Sequence, residues 1–197
     1  MKEYYDRRAP GYDDWYLGRG RYASRDAAAW QADLDGLVAA IQSLPPLRTL
    51  DAACGTGFLT RHLHGDVVAL DQSAAMLEQA WLVVPRATFV QGDAFALPFP
   101  NQAFARVFTC HFYGHLDEDE RGRFLAEAHR VARELVVVDA AVRPDHDLEE
   151  IQQRELPDGT VWPVLKRYFT PESLLAELGG GETLYSGPWF VCTRTQL

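Results

Sequence analysis

Cysteine is scarce in this chain of 197 residues, and no two cysteines stand close together. The three are Cys54, Cys110 and Cys192, and no Cys-x-x-Cys pair occurs. Three widely spaced cysteines, odd in number and without a Cys-x-x-Cys pair, argue against a disulfide framework and a structural zinc site, and the sequence predicts no metal site. Because such cysteine usage fits a reducing compartment, we expect a cytoplasmic protein.

The chain also lacks an excess of basic residues and any long apolar run. Nineteen Lys and Arg stand against 28 Asp and Glu, which gives a formal net charge of −9. Sequence-independent nucleic-acid binding needs clustered cations against phosphates, so we expect no nucleic-acid partner. No apolar run approaches membrane-spanning length, and residues 1–8 are too polar for a signal peptide, so we expect no membrane partner.

A glycine turn between two apolar segments that carry acids is the most informative feature present. The run Leu50-Asp51-Ala52-Ala53-Cys54-Gly55-Thr56-Gly57 indicates a strand followed by a turn, and Asp71 ends the next apolar run. Glycines let the backbone pass close to a ligand, and an acid ending the next strand can bind both hydroxyls of a ribose. The pattern therefore predicts an adenosine-containing cofactor in an α/β crevice.

The glycine pattern alone does not identify the cofactor, because a dinucleotide such as NAD can also bind at a glycine turn of this kind. A dinucleotide fingerprint would place its third glycine at position 60, where this chain has Thr60. An NAD-type oxidoreductase is therefore a poorer fit, although the pattern does not exclude it.

Strand and helix signals alternate along the middle of the chain. Ser24, Ser73 and Asp117 are plausible N-caps. Residues 182–185 and 189–195 indicate two strands around a turn, at the end of the chain. The alternation predicts an α/β fold with a mainly parallel sheet covered on both faces. The expected strands before that hairpin are 47–52, 67–71, 88–90, 105–110 and 135–141, and the expected helices are 25–43, 56–64, 74–82, 118–132 and 171–178.

The order of these motifs resembles that of the class I S-adenosylmethionine-dependent methyltransferases, and most closely the small-molecule type related to ubiquinone/menaquinone-biosynthesis methyltransferases. Residues 50–57 are similar to the family's Asp-x-Ala-Cys-Gly-Thr-Gly motif, residues 70–77 to its acidic loop, and residues 91–99 to its adenine-contacting loop. The resemblance covers nearly the whole chain. It implies a Rossmann-like, doubly wound, seven-stranded and mostly parallel sheet with an antiparallel C-terminal hairpin.

The same resemblance implies the activity and the cofactor. We expect methyl transfer from S-adenosylmethionine to a small-molecule acceptor by in-line displacement, with S-adenosylhomocysteine as the product of the cofactor. Two departures from the family pattern touch no cofactor motif. The fourth strand begins Phe104-Ala105 instead of Phe-Asp, and residues 130–135 lack the usual Pro-Gly-Gly turn.

The expected organisation is a single methyltransferase domain over 1–197. Its parts are an N-terminal helical cap segment (1–45), a cofactor-binding core (46–142), a substrate-side insertion (143–170), and a C-terminal helix and hairpin (171–197). Aromatic residues flank the core, and we hypothesise that they form an apolar lid over the acceptor. These aromatics are Trp15, Tyr16, Trp30, Trp162, Tyr168 and Phe169.

The resemblance assigns the cofactor contacts residue by residue, from the methionine end to the adenine. The contacts that it implies are Asp51, Ala53, Gly55 and Gly57 at the methionine end with Tyr12 closing over it, Asp71 on the ribose diol with Gln72 and Met76 beside it, Asp93 and Ala94 at the adenine, and Cys110 through its backbone.

His111 is the candidate general base, because the segment that leaves the fourth strand borders the transferred methyl group and imidazole titrates near neutrality. His111 and His115 have the spacing of a metal pair on a helix, but they follow a strand and no third ligand is apparent. Residues 109–113 lack the Asn/Asp-Pro-Pro-aromatic motif, which disfavours methylation of a base in DNA. A non-catalytic cofactor-binding protein and an enzyme that uses a modified S-adenosylmethionine remain alternatives, and the oligomeric state is open.

Overall fold

A computed structural model describes residues 1–23, 26–144 and 147–197 of the chain. The helices are α1 (Lys2–Arg8), α2 (Asp14–Leu17), α3 (Ala27–Gln42), α4 (Ala74–Val83), α5 (Glu118–Val131) and α6 (Pro171–Glu177). The strands are β1 (Thr49–Ala52), β2 (Val67–Asp71), β3 (Thr88–Gln91), β4 (Arg106–Cys110), β5 (Glu134–Ala140), β6 (Glu149–Glu155), β7 (Val161–Arg167), β8 (Glu182–Ser186) and β9 (Phe190–Gln196).

Seven strands form one sheet in the order β3-β2-β1-β4-β5-β9-β8. The pairs from β3 to β5 are all parallel, whereas β9 runs antiparallel to both β5 and β8. Every residue of β1, β2 and β5 is buried, as expected for strands with both faces covered. The predicted seven-stranded, Rossmann-like sheet with its antiparallel C-terminal hairpin is confirmed.

The hydrophobic core lies in two layers, one on each face of this sheet. Alternate residues of β5 belong to opposite layers, because successive side chains of a strand point to opposite faces. Leu135 and Val137 pack with Phe124 of α5, while Val136 and Val138 pack in the layer that contains α3. The two layers fix the sheet between its helices and leave its carboxyl edge free to carry a site.

Helix caps largely follow the sequence. The Ser73 hydroxyl accepts the Met76 amide at 3.1 Å, and Asp117 and Glu120 form a capping box at the start of α5. Asp26 caps α3, because its carboxylate accepts the amides that begin the helix. The predicted cap Ser24 lies outside the described residues.

The helix predicted over 56–64 is wrong, since the structure has only a 3₁₀ turn there, Thr60–His62. Gly57 has a φ of +77°, which a helix does not tolerate, and the buried Leu63 is extended. Arg86 satisfies the carbonyls of the turn by donating from one nitrogen to Arg61 O at 3.1 Å and Leu63 O at 2.6 Å.

A second sheet was not predicted. Strands β6 and β7 form an antiparallel hairpin within residues 143–170, apart from the seven-stranded sheet. The His115 Nδ1–H donates to the Leu165 carbonyl at 2.6 Å and ties this hairpin to the segment after β4. Among helices in the described residues, none combines the length and apolar composition needed to cross a membrane.

Candidate active site

The carboxyl ends of the parallel strands meet at one edge of the sheet, and several of them carry acids. Asp51 is the penultimate residue of β1 and Asp71 is the last residue of the neighbouring β2; Asp51 lies opposite Ala69, and Asp71 lies opposite Gln91 of β3. Open α/β sheets bind their ligands at this edge.

The glycine turn after β1 is held to the end of β2 by hydrogen bonds. Asp71 accepts the Gly55 amide at 2.9 Å on one oxygen and the Ser73 amide at 2.9 Å on the other. Burial raises the pKa of Asp71, while these amides act in the opposite direction. Ala53 has a φ of +61°, a conformation that costs energy for any residue with a Cβ and is concentrated at functional sites.

A cavity of about 260 Å³ opens between this turn and the segment after β4. Most of the residues predicted to contact the cofactor line it. They are Tyr12, Ala53, Gly55, Asp71, Gln72, Met76, Asp93, Ala94 and Cys110.

Two predicted contacts are placed differently. Asp51 lines a smaller cavity directly behind Ala53 and Gly55. Gly57 faces α4 instead: a Cβ there would lie 3.0 Å from Val84 Cγ2. Gly57 therefore packs closely against this helix and does not line the 260 Å³ cavity, and its cofactor contact stays a prediction.

Asp51 is a buried acid, and only one of its two carboxylate oxygens has a hydrogen-bond partner among the described residues. Its Oδ2 accepts the Thr60 hydroxyl at 2.6 Å, but its Oδ1 has no hydrogen-bond partner among the described residues. Burial raises the pKa of Asp51 to about 7, although the Thr60 hydroxyl opposes this. A buried carboxylate oxygen without a partner is costly, so this position fits a positively charged group of a ligand.

His111 lies beside a buried ionic cluster at the end of β5. Asp139 accepts from Lys166 Nζ at 2.7 Å and from the Gly114 amide at 2.7 Å. Burial alone would raise the pKa of Asp139, but the Lys166 ammonium and the His111 imidazole outweigh it and hold this pKa well below its ordinary range. His111 Nδ1 lies 3.7 Å from Asp139 Oδ1.

This arrangement prepares His111 to accept a proton. Burial lowers the pKa of His111, so the imidazole is neutral at neutral pH. The Asp139 carboxylate favours the tautomer with the proton on Nδ1, so the lone pair that can accept a proton lies on Nε2. Nε2 is buried and has no hydrogen-bond partner in the described part of the chain. His111 also has a φ of +50°, a strained backbone held by its surroundings.

A second cavity, of about 1130 Å³, lies on the other side of His111. Tyr12, His111 and His115 line both cavities, so the two meet there. The walls of the larger cavity combine aromatic rings with cationic side chains. The aromatics are Trp15, Tyr22, Trp30, Tyr168 and Trp189, and the cations are Arg8, Arg143, Arg154 and Lys166.

Half of the hypothesised aromatic lid faces this larger cavity. Trp15, Trp30 and Tyr168 line it. The other three pack elsewhere: Tyr16 stacks on Phe58 with ring centroids 4.0 Å apart, Phe169 is in the main core, and Trp162 packs on Tyr4.

Comparison with known proteins agrees with this geometry. Residues 49–134 match a family model described as a methyltransferase domain. A solved structure of DhpI in complex with SAH superposes with a TM-score of 0.70 at 29% identity, covering 98% of this chain and 92% of that one. The chain is thus similar in sequence and in fold to the class I S-adenosylmethionine-dependent methyltransferases.

Curated relatives of this chain include two demethylmenaquinone methyltransferases. The demethylmenaquinone methyltransferase of Thermotoga maritima is 33% identical over 102 residues, which cover 49% of this chain and 44% of that protein. The one from Renibacterium salmoninarum is 37% identical over 100 residues, which cover 49% and 41%. The matched part of the chain thus spans less than half the length of each of these relatives.

Sequence reasoning missed several residues of the candidate site. Tyr5 and Phe112 line the smaller cavity, and Arg8 and Arg154 line the larger one. Phe112 directly follows His111 after β4, so its position was a usable signal. Arg8 and Arg154 come from segments without any motif, and only the fold brings them together.

Proposed function

We propose that this chain transfers a methyl group from S-adenosylmethionine to a small molecule bound in the larger cavity. The junction of the two cavities carries the proposal, because Tyr12 and His111 face both sides. When bound, S-adenosylmethionine supplies a methyl group already activated on a sulfonium. The chain then has to align the acceptor with this methyl group, which two cavities meeting at one point would do.

The residues of the smaller cavity fit this cofactor chemically. The orphaned Asp51 Oδ1 would receive the ammonium of the methionine part, and Asp71 would hold the ribose diol. Gln72 and Met76 would lie beside the ribose and adenine. Asp93 already accepts the Phe95 amide at 2.9 Å, and it would add a contact to the adenine amino group, with the Ala94 amide near a ring nitrogen.

His111 would act as general base for an acceptor that must lose a proton, such as a hydroxyl. Its neutral imidazole, with Nε2 unpartnered among the described residues, faces the junction, and Asp139 orients the ring from behind. Positioned proton transfer of this kind contributes typically about 10²- to 10⁴-fold to a rate.

The acceptor side would be built by the N-terminal segment and by residues 143–170, which hold the β6–β7 hairpin. Helix α1 supplies Arg8 and the hairpin supplies Arg154 and Lys166 to the larger cavity. The similarity to demethylmenaquinone methyltransferases supports a small-molecule acceptor over a macromolecule. The expectation of a cytoplasmic location rests on cysteine usage and stays a prediction.

Calorimetric titration of cofactor-stripped protein tests the proposal. S-adenosylmethionine and S-adenosylhomocysteine should bind, and NAD should not. Turnover of an acceptor panel, followed by mass analysis, should show products heavier by one methylene. Binding of NAD without S-adenosylhomocysteine would favour an oxidoreductase, and binding without turnover would favour a regulatory protein.

The role of His111 has a separate test in the His111→Gln variant, once the panel gives a substrate. The rate constant kcat should fall by about 100-fold or more, with a smaller change in KM. Because the base acts in its neutral form, the wild-type rate should fall as the pH drops through the lowered pKa of His111. That acidic limb should vanish in the variant, and an unchanged pH profile would contradict the role.

A further inference from the structure

The larger cavity is cationic within a chain that is strongly acidic overall. Among the described residues, four basic side chains and one carboxylate, Glu150, line it, whereas the chain carries a net charge of −9. A local excess of one sign, set against the charge of the whole protein, indicates a ligand of the opposite sign.

Lys166 is not available to attract a ligand anion, because its ammonium is already paired with a carboxylate of the protein. Its ammonium lies 2.7 Å from Asp139, which is fully buried. Among the other basic side chains of the cavity, Arg8 and Arg154 have only neutral hydrogen-bond partners in the described chain.

Arg8 is a buried arginine whose partners are all neutral. It is 9% exposed and donates to the Tyr4 hydroxyl at 2.6 Å and to the Tyr22 hydroxyl at 3.2 Å. Its guanidinium carbon also lies 5.2 Å from the centre of the Tyr12 ring. Within the described chain, no carboxylate lies at ion-pair distance from Arg8, and its buried Nε has no partner. A buried charge left without a counter-ion is costly, and a ligand anion would remove that cost.

Arg154 approaches the same cavity from β6, and its partner is also neutral. Its Nε and one terminal nitrogen both donate to the Gln152 side-chain oxygen, at 3.1 and 2.9 Å. Its positive charge contributes to the lowered pKa of His111 and of His115, after burial and together with Lys166. Arg154 therefore acts on the junction where the two cavities meet.

We propose that the acceptor carries an oxyanion, a carboxylate or a phosphoryl group, held by Arg8 and Arg154 while its organic part lies against the aromatic walls. A guanidinium matches the geometry of both oxyanions. Trp15, Trp30 and Trp189 provide the apolar surface for the rest of a small organic molecule. The inference rests on the proposed function and specifies its substrate class.

The test uses propionate and methyl phosphate as probes, with propionamide as the neutral match of propionate. Each is titrated into the folded protein with and without S-adenosylhomocysteine, at constant ionic strength, and binding is followed by tryptophan fluorescence and calorimetry. At least one anion should bind saturably, propionamide should not, and the better anion identifies carboxylate or phosphoryl as the preferred group.

Arg154→Gln should weaken anion binding by about tenfold to a hundredfold, as expected for loss of a charged hydrogen-bond donor. Arg48→Gln is the matched control, because Arg48 is exposed, pairs with Asp66 and precedes β1 at the opposite edge of the sheet. Arg8→Lys keeps the charge but loses the guanidinium fork, and it should weaken binding less than Arg154→Gln if the charge dominates.

Equal binding of propionamide and propionate, or no saturable anion binding, would overturn the inference, as would an unchanged Arg154→Gln variant. These outcomes are separable from failure of the proposed function. If S-adenosylhomocysteine does not bind but the anions do, the methyltransferase proposal fails and the anion site stands.

Discussion

The two cavities that meet at His111 are built in opposite ways. The smaller one uses carboxylates and backbone from strand ends of one sheet, such as Asp71 and the turn that contains Gly55. The larger one uses long side chains from segments that lie far apart in sequence, such as Arg8 of α1 and Arg154 of β6. The first is acidic and defined by the sheet; the second is cationic and depends on a helix and a hairpin laid against it.

The difference shows which part of the site can vary. A cofactor cavity formed by the carboxyl edge of a parallel sheet keeps its shape as long as the sheet forms. An acceptor cavity formed by peripheral segments can change its chemistry without disturbing the sheet, because function resides in sites placed on a fold. Variants should therefore separate the two halves.

The largest effect is expected from breaking the ion pair that ties the hairpin to the sheet. Asp139→Asn leaves Lys166 buried beside a neutral group, so the free energy of unfolding should fall by about 3–5 kcal/mol. The folded variant should still bind S-adenosylhomocysteine with nearly wild-type affinity. Urea unfolding followed by circular dichroism, together with calorimetry, measures both quantities.

An exposed ion pair provides the control for this variant. Glu182→Gln removes a partner of Arg194 at the surface, and the cost should stay below about 1 kcal/mol. The pH dependence adds a check: because the folded pKa of Asp139 is lowered, its contribution to stability is present above the ordinary aspartate pKa and lost as the pH falls below about 4. The difference between wild type and Asp139→Asn should therefore shrink in acid.

The next effect belongs to the cofactor half alone. Asp71→Ala should lower the affinity for S-adenosylhomocysteine by about tenfold to a hundredfold, or roughly 1.5–3 kcal/mol, since it removes a charged acceptor. Binding of propionate or methyl phosphate should not change. Asp66→Ala, at an exposed acid near the opposite edge, is the control for net charge. Equal weakening of cofactor and anion would mean that the two cavities are not independent.

The smallest expected effect is a change in the number of protons that the protein binds when the cofactor enters. The pKa of Asp51 is about 7 in the free protein, and a bound ammonium would lower it, so cofactor binding at pH 7 should release about half a proton. Calorimetry in buffers of different ionisation enthalpy measures this number, and the affinity should rise with pH through neutrality. Asp51→Asn should abolish the buffer dependence. Proton uptake in the wild type would contradict the assignment of Asp51.

The predictability of each half follows its construction. Strand ends could be predicted because buried parallel strands are continuous apolar runs. The run Val67–Asp71 therefore indicates both the strand and the position of the acid at its end. The cap at Ser73 was predictable because an N-cap interaction is local in sequence.

The missed features depend on long-range contacts. Strand β6 is mostly polar and half exposed, so it lacks the apolar alternation that marks a strand. Residues 56–64 contain helix-forming residues, but the positive φ of Gly57 and the Arg86 side chain from another segment decide their conformation. The pairing of Arg8 with Arg154 joins residues from two distant segments, and no local pattern signals it.

Helix α1 contacts both halves, although it has only seven residues. Its Asp6 accepts the Ser73 hydroxyl at 2.6 Å beside the ribose acid, its Tyr5 lines the cofactor cavity, and its Arg8 lines the acceptor cavity. Contacts that one ligand makes with α1 therefore stabilise the same segment that the other ligand touches. The second ligand then meets a segment already in place. Cofactor and acceptor should accordingly bind with positive cooperativity, each raising the affinity of the other by the same factor.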